Sequence, residues 1–160
     1  MKPKMTIKTP WQFLASGFGA GLSPIAPGTM GTLVAVPLWA IFASFLPLWG
    51  YLLLIIIASI IGITICQKAS DELGVHDHGG IVWDEFVGLW ITMLFAPVSW
   101  ASAILGFLLF RFFDVLKPWP IKAIDEKISG GFGIMFDDII AGIFALIALQ
   151  LVLHYIVPLF

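Results

Sequence analysis

The chain has 160 residues, of which 60% are hydrophobic and only 11% are charged, and its formal net charge is −2. Because an ordinary soluble domain is about one quarter charged, this composition indicates a single integral membrane domain over residues 1–160. The small net charge and the lack of a basic run argue against a nucleic-acid partner. A single cysteine, Cys66, excludes an internal disulfide and a cysteine-based zinc site.

The N-terminal apolar stretch, Trp11–Met30, is rich in glycine and proline. These residues interrupt a regular spanning helix, so we expect a short interfacial or re-entrant helix followed by a turn. Two apolar helices are predicted next, from Thr29 to Phe45 and from Trp49 to Cys66. The polar segment Gln67–Val82 is expected to begin as an extension of the second of these helices.

The segment Phe86–Phe110 permits two interpretations, one spanning helix or a helical hairpin. We prefer the hairpin, with helices Val82–Ala96 and Trp100–Leu116 joined by a turn around Pro97. A last helix is predicted from Asp138 to Val157. The predicted fold class is therefore an all-α, polytopic membrane helical bundle with about five spanning or half-spanning helices and a short N-terminal interfacial or re-entrant segment.

Charged side chains are concentrated in two segments, Lys68–Glu85 and Arg111–Asp138, apart from three lysines at the start of the chain (Lys2, Lys4 and Lys8). The hairpin interpretation places both segments on the side of these lysines, whereas a single helix would separate them. The positive-inside rule then predicts that this side is cytoplasmic.

Acidic residues occur at three predicted helix ends on this side: Asp84, Glu85, Asp114, Asp137 and Asp138. Helix capping and complementarity to the helix dipole explain one acid of each pair. Five acids on one side favour a site, because hard cations bind carboxylate oxygens and Mg²⁺ usually keeps waters and bridges to phosphate. The pattern therefore indicates an all-oxygen pocket for Mg²⁺.

Arg111, Asp114 and Lys117 are spaced at i, i+3 and i+6, which predicts one shared helix face. An interfacial salt-bridge ladder with snorkelling bases explains this spacing without any function. The apolar neighbours of Asp114 favour a functional acid, because a carboxylate in that setting requires a partner or a metal.

Two further groups are weaker candidates. Gly28 and Thr29 begin a predicted helix whose free N–H groups suit an anion, and Ser23 adds a hydroxyl. Taken alone, close packing explains these glycines better. His76 and His78 lie on the charged side, either as solvated loop residues or as proton-transfer groups.

The chain lacks the residue patterns that some mechanisms with a cysteine or aspartate nucleophile require. Cys66 has no arginine six positions later, and no Asp-x-Asp nucleophile pair occurs. If the protein acts on phosphate, direct attack by a metal-activated water is the simplest scheme that remains.

Four segments resemble the phosphatidylglycerophosphatase A family, in the family's order: Gly17–Thr32, Gly74–Gly88, Phe110–Ile121 and Gly130–Gly142. The resemblance implies a Mg²⁺-dependent lipid phosphatase, multi-pass in the bacterial inner membrane. Its substrate would be phosphatidylglycerophosphate, which loses its terminal phosphate while its acyl chains stay in the bilayer.

The resemblance and the residue patterns together predict the roles of individual residues. The predicted catalytic residues are Asp84, Glu85, Asp114, Asp138, His76 and His78. The predicted metal ligands are Asp84, Glu85, Asp114, Asp137 and Asp138, and the predicted substrate-binding residues are Ser23, Gly28, Thr29, Arg111 and Lys117. The rival classes are a small carboxylate-lined membrane transporter and a structural membrane subunit.

Overall fold

The computed structural model describes residues 3–159, so Lys2 lies outside the described part of the chain. Within it the regular elements are all helical, which confirms the predicted all-α bundle. The seven α-helices are α1 (Pro10–Ala15), α2 (Pro27–Phe45), α3 (Leu48–Leu73), α4 (Trp83–Thr92), α5 (Trp100–Leu116), α6 (Ile121–Lys127) and α7 (Gly130–Leu151).

Three of these helices are long and apolar enough to cross a membrane: α2, α3 and α7, the last continued by a π-helical turn to Ile156. About 20 residues suffice to span a hydrocarbon core of about 30 Å. Their outer faces expose large aliphatic side chains, such as Leu53, Ile60 and Ile147. Lipid is the environment that these faces fit.

The short helix α4 lies at the centre of the bundle. Phe86, Val87 and Leu89 are fully buried, and α4 packs against α2, α3, α5 and α7. The indole N–H of Trp90 donates to the carbonyl of Ala35 in α2 (3.1 Å), so the contacts of α4 are polar as well as apolar. The acids in the first turn of α4 are therefore held inside the bundle.

The predicted hairpin is present, but its first helix is shorter than expected. It ends at Thr92 instead of Ala96, because Phe95 adopts a positive φ of 63° and Ala96 precedes a proline. The second helix has the predicted bounds and begins with Ser99, whose hydroxyl accepts a hydrogen bond from the Ser102 N–H (3.1 Å).

The predicted start of the last helix at Asp138 was wrong, because α7 begins at Gly130. Gly131 and Gly133 lie in the first turn of this helix and allow close approach. A Cβ on Gly131 would lie 2.1 Å from the carbonyl oxygen of Ile63 in α3. Asp137 and Asp138 therefore lie inside a long helix, two turns beyond its start, and their role is not to cap it.

The N-terminal segment forms the expected short helix and turn. α1 is followed by a 3₁₀ turn, Ala20–Leu22, and α2 begins at Pro27, two residues before the predicted start. Gly17 has a φ of +58°, and a Cβ there would lie 2.7 Å from the ring of Phe86. This segment therefore covers the first turn of α4.

Candidate metal and phosphate site

Three carboxylates from three different helices meet inside the bundle, near the end of the hairpin where α4 begins and α5 ends. Glu85 of α4, Asp114 of α5 and Asp138 of α7 each offer one oxygen, and these oxygens all lie within 4.8 Å of one another. Asp138 is 2% exposed. Like charges this close repel one another strongly away from water, so the arrangement requires a cation or protons to neutralise it.

Several carboxylate oxygens around this group lack a partner among the described residues. The buried, unpaired oxygens belong to four acids: Asp84 (Oδ1), Glu85 (Oε2), Asp137 (Oδ1) and Asp138 (Oδ2). Buried polar atoms are nearly always hydrogen-bonded in native structures, because an unpaired one costs about 1–3 kcal/mol. Their clustering is the observation that a bound cation explains.

Arg111 partly compensates this negative charge. Its guanidinium donates to Oε1 of Glu85 at 3.2 Å and to Oδ2 of Asp114, one turn along the same helix. The first contact joins α5 to α4 across the hairpin. The predicted pairing of Arg111 with Asp114 is therefore present, and Glu85 is an additional partner.

Lys117 does not pair with Asp114, which corrects the predicted shared face. Its ammonium contacts Oδ2 of Asp137 (2.7 Å) and Oδ2 of Asp125 (3.1 Å). The helix ends at Leu116, and Lys117 has a positive φ of 44°, so the helical spacing no longer applies to it. Burial alone would lower the pKa of the Lys117 ammonium, but the two carboxylates raise it above its usual value.

The charges of the site do not balance without a cation. Five carboxylates and two bases give a formal charge of −3: Asp84, Glu85, Asp114, Asp137 and Asp138 against Arg111 and Lys117. Asp125 adds a further carboxylate on the Lys117 side. An all-oxygen donor set with excess negative charge fits a hard divalent cation such as Mg²⁺ and does not fit a softer metal.

The start of α2 forms one wall of this site. A Cβ on Gly28 would lie 2.2 Å from Oε1 of Glu85 and 3.3 Å from the Arg111 guanidinium, so any larger residue here would displace the Glu85 carboxylate. Of the other predicted phosphate contacts, Thr29 is half-buried in the first turn of α2, and the Ser23 hydroxyl instead donates to the carbonyl of Ile25 (2.8 Å). The structure therefore brings Gly28, but not the Ser23 hydroxyl, to the carboxylates.

The two histidines make contacts of their own with the backbone. The ring of His76 accepts a hydrogen bond from the Gly130 N–H (2.8 Å), and Nδ1 of His78 accepts one from the Gly80 N–H (2.9 Å). The other ring nitrogen of His78 contacts the carbonyl of Pro3. Neither histidine belongs to the close carboxylate group, so their catalytic role stays a prediction that these contacts do not favour.

Sequence reasoning missed two acids near the site. Asp125 contacts Lys117 from α6, a helix that was not predicted. Asp77 lies close enough to Asp84 and Asp137 for like-charge repulsion. Both acids are in polar segments that resemble solvated loops, and no signal in the sequence distinguished them from solvated residues.

Comparison with known proteins identifies the family. The sequence model described as "Phosphatidylglycerophosphatase A" matches residues 13–153. The protein of that name from Escherichia coli (strain K12) is 46% identical over 155 residues, which cover 96% of this chain and 90% of the relative. Its namesake from Haemophilus influenzae is 47% identical over 145 residues, covering 90% of this chain and 89% of the relative. No solved structure matches the chain. The chain belongs to the phosphatidylglycerophosphatase A family.

Proposed function

We propose that this protein is a Mg²⁺-dependent phosphatase that removes the terminal phosphomonoester of phosphatidylglycerophosphate and leaves phosphatidylglycerol. The family and the names of the relatives support the substrate. The observation that carries the cation dependence is the cluster of buried, unpaired carboxylate oxygens where α4, α5 and α7 meet. It explains why acids that are costly to bury occur together in an apolar bundle.

The cation would be held by Glu85, Asp114 and Asp138, with Asp84 and Asp137 beside them. A bound Mg²⁺ supplies Lewis-acid stabilisation of phosphoryl oxygens and lowers the pKa of a coordinated water. The three ligands come from three helices, so the bundle itself fixes their relative positions. Mutual repulsion among these acids is the energetic reason for their affinity for a cation.

Two bases would orient the phosphate. Arg111 presents a planar guanidinium beside Glu85 and Asp114, and Lys117 presents a compact ammonium beside Asp137. Both side chains offer N–H donors to phosphate oxygens. The backbone of Gly28 lets the Glu85 carboxylate and the Arg111 guanidinium approach the start of α2, where a side chain would crowd them. Asp84 and Asp137 each have a carboxylate oxygen without a partner among the described residues, and either would accept a proton if that oxygen is not a metal ligand.

The location of the site fits a lipid substrate. Glu85 lies in the first turn of α4, and Asp114 lies in the last turn of α5, so the group is near one end of the hairpin. A phosphomonoester at headgroup level reaches such a site while its acyl chains remain in the bilayer. We propose a multi-pass protein of the bacterial inner membrane with this end on the cytoplasmic side, where the lysines concentrate.

A carboxylate-lined transporter is the alternative that the acids alone permit. It predicts cation uptake without hydrolysis. The bases beside the acids favour the phosphatase, because Arg111 and Lys117 offer N–H donors to phosphate oxygens, whereas a site for a transported cation alone does not need them.

The decisive experiment measures phosphate release by the purified protein from phosphatidylglycerophosphate in mixed micelles, as Mg²⁺ is raised after chelation. We expect release that depends on Mg²⁺ and is largely lost in Asp114→Asn. Asp71→Asn is the matched control, since Asp71 lies exposed at the end of α3. Parental release in the presence of a chelator, or equal release by both variants, would contradict the proposal.

A further inference from the structure

An apolar cavity of about 510 Å³ lies between α2 and α5, outside the carboxylate site. Its walls include four residues of α2 and two of α5: Leu33, Val36, Pro37, Ala40, Trp100 and Ala103. The volume falls in the range of ligand sites, about 300–1,000 Å³. Protein interiors are close-packed, so a space of this size between two helices lies outside the packed core and has room for a ligand.

The same two helices carry the proposed phosphate site. Along α2, Leu33 and Ala40 lie about 8 and 18 Å from Gly28 at 1.5 Å per residue. Along α5, Ala103 and Trp100 lie about 12 and 17 Å from Arg111 by the same rise. Both helices therefore place the cavity in one depth interval, below the phosphate site and inside the apolar part of the bundle.

The cavity opens towards lipid. Leu33 and Trp100 are 52% and 85% exposed, and both lie on apolar surfaces of the bundle. Trp39 lines the cavity from the inner side and is only 1% exposed, so that wall is held by the core. An open, apolar cavity at this depth suits a hydrocarbon chain better than a polar solute.

We propose that this cavity seats one acyl chain of the lipid substrate while its terminal phosphate lies at the carboxylate group. The inference rests on the proposed function for the identity of the substrate. Its basis is that α2 and α5 both line the cavity and both carry residues of the carboxylate site, about 8 to 18 Å away along the helix axes. A seated chain would add binding energy that is equal in the ground state and the transition state, which lowers KM without raising kcat.

The main test fills the cavity and varies chain length. Ala103→Phe adds a ring in the cavity, and Ala101→Phe adds the same ring on the exposed surface of α5, where residue 101 does not line the cavity. The substrates are phosphatidylglycerophosphate with two hexadecanoyl chains and its analogue with two hexanoyl chains, in the same detergent.

We expect Ala103→Phe to raise KM for the long-chain substrate by about tenfold, the equivalent of about two lost methylene contacts. KM for the short-chain analogue and kcat for both should change little. Ala101→Phe should match the parent. Equal KM values in the two variants would overturn the proposal. If Ala103→Phe does not accumulate, Ala40→Leu fills the cavity from α2 with a smaller side chain.

A second readout does not depend on turnover. A long-chain lipid of the same headgroup with a photoreactive diazirine near the chain end is cross-linked to the parent, and the modified peptides are mapped. Cross-links that are concentrated in residues 33–40 and 98–103 and are lost in Ala103→Phe support the acyl-chain seat. This holds even if the protein releases no phosphate, because a lack of release would refute only the proposed phosphatase activity. Cross-links spread evenly over lipid-facing helices would refute the seat.

Discussion

Replacing Gly142 with alanine should disturb the site without touching a charged group. Gly142 of α7 crosses Gly88 of α4, and a Cβ at Gly142 would lie 2.5 Å from the Gly88 carbonyl oxygen. That is about 0.9 Å short of the 3.4 Å at which ordinary contact begins. The obstacle is backbone, which cannot rotate away as a side chain can, so α4 and α7 must separate by most of this distance.

The separation acts directly on the carboxylates. Asp138 is one helical turn before Gly142, and Glu85 is one turn before Gly88, so the crossing sets the distance between two proposed ligands. A displacement of about 1 Å at a reacting centre can cost about 10²-fold in rate. Overpacking should also destabilise the fold by about 1–3 kcal/mol.

The assay is kcat for phosphate release from phosphatidylglycerophosphate at saturating Mg²⁺, measured with the thermal midpoint in the same detergent. Gly50→Ala is the control, since a Cβ there meets its nearest atom, in Pro47, at 3.4 Å. We expect Gly142→Ala to lose about 10²-fold in kcat and Gly50→Ala to keep the parental rate. A parental kcat in Gly142→Ala would refute the view that this crossing sets the site geometry.

Three further predictions concern single side chains. Asp138→Asn should lower turnover on the order of 10²-fold. In metal-free buffer it should raise the thermal midpoint by roughly 2–4 °C, because it removes a buried carboxylate that the neighbouring acids repel. A lower midpoint would indicate that Asp138 has a purely structural role. Lys117→Met should lower kcat by about 10²-fold or more, whereas Lys122→Met, on the exposed face of α6, should match the parent in the same assay. Tyr51→Phe should cost about 1 kcal/mol of stability in thermal unfolding, with kcat unchanged, because it removes a buried bond to the Trp90 carbonyl (2.6 Å).

The sequence was sufficient to predict the bundle and its hairpin. The reason is that apolar length and charge placement are properties of segments, and they do not depend on which side chains touch. Glu85 and Arg111 are 26 residues apart, and only a hairpin brings them to 3.2 Å. The carboxylates were found for the same reason, since acids are rare in apolar sequence and each one is informative.

Two wrong predictions concern the start of α7 and the partner of Lys117, which depend on local backbone geometry. The last helix was predicted to begin at Asp138, yet α7 begins at Gly130. Its glycines let it approach α3 closely, and sequence spacing does not show what lies opposite a glycine. Lys117 was assigned to the face of Asp114 by helical periodicity, but the helix ends one residue earlier and the side chain turns towards Asp137. A helix end set by one positive φ cannot be located by periodicity.

The most direct test of the central claim is calorimetric titration of the metal-free protein with Mg²⁺, without substrate. We predict a saturable site in the parent that weakens at least about tenfold in Glu85→Gln, because the charge of a ligand is lost while its size is kept. Asp71→Asn, at an exposed acid of α3, should bind as the parent does. Absence of binding in the parent, or equal affinity in Glu85→Gln, would contradict the account.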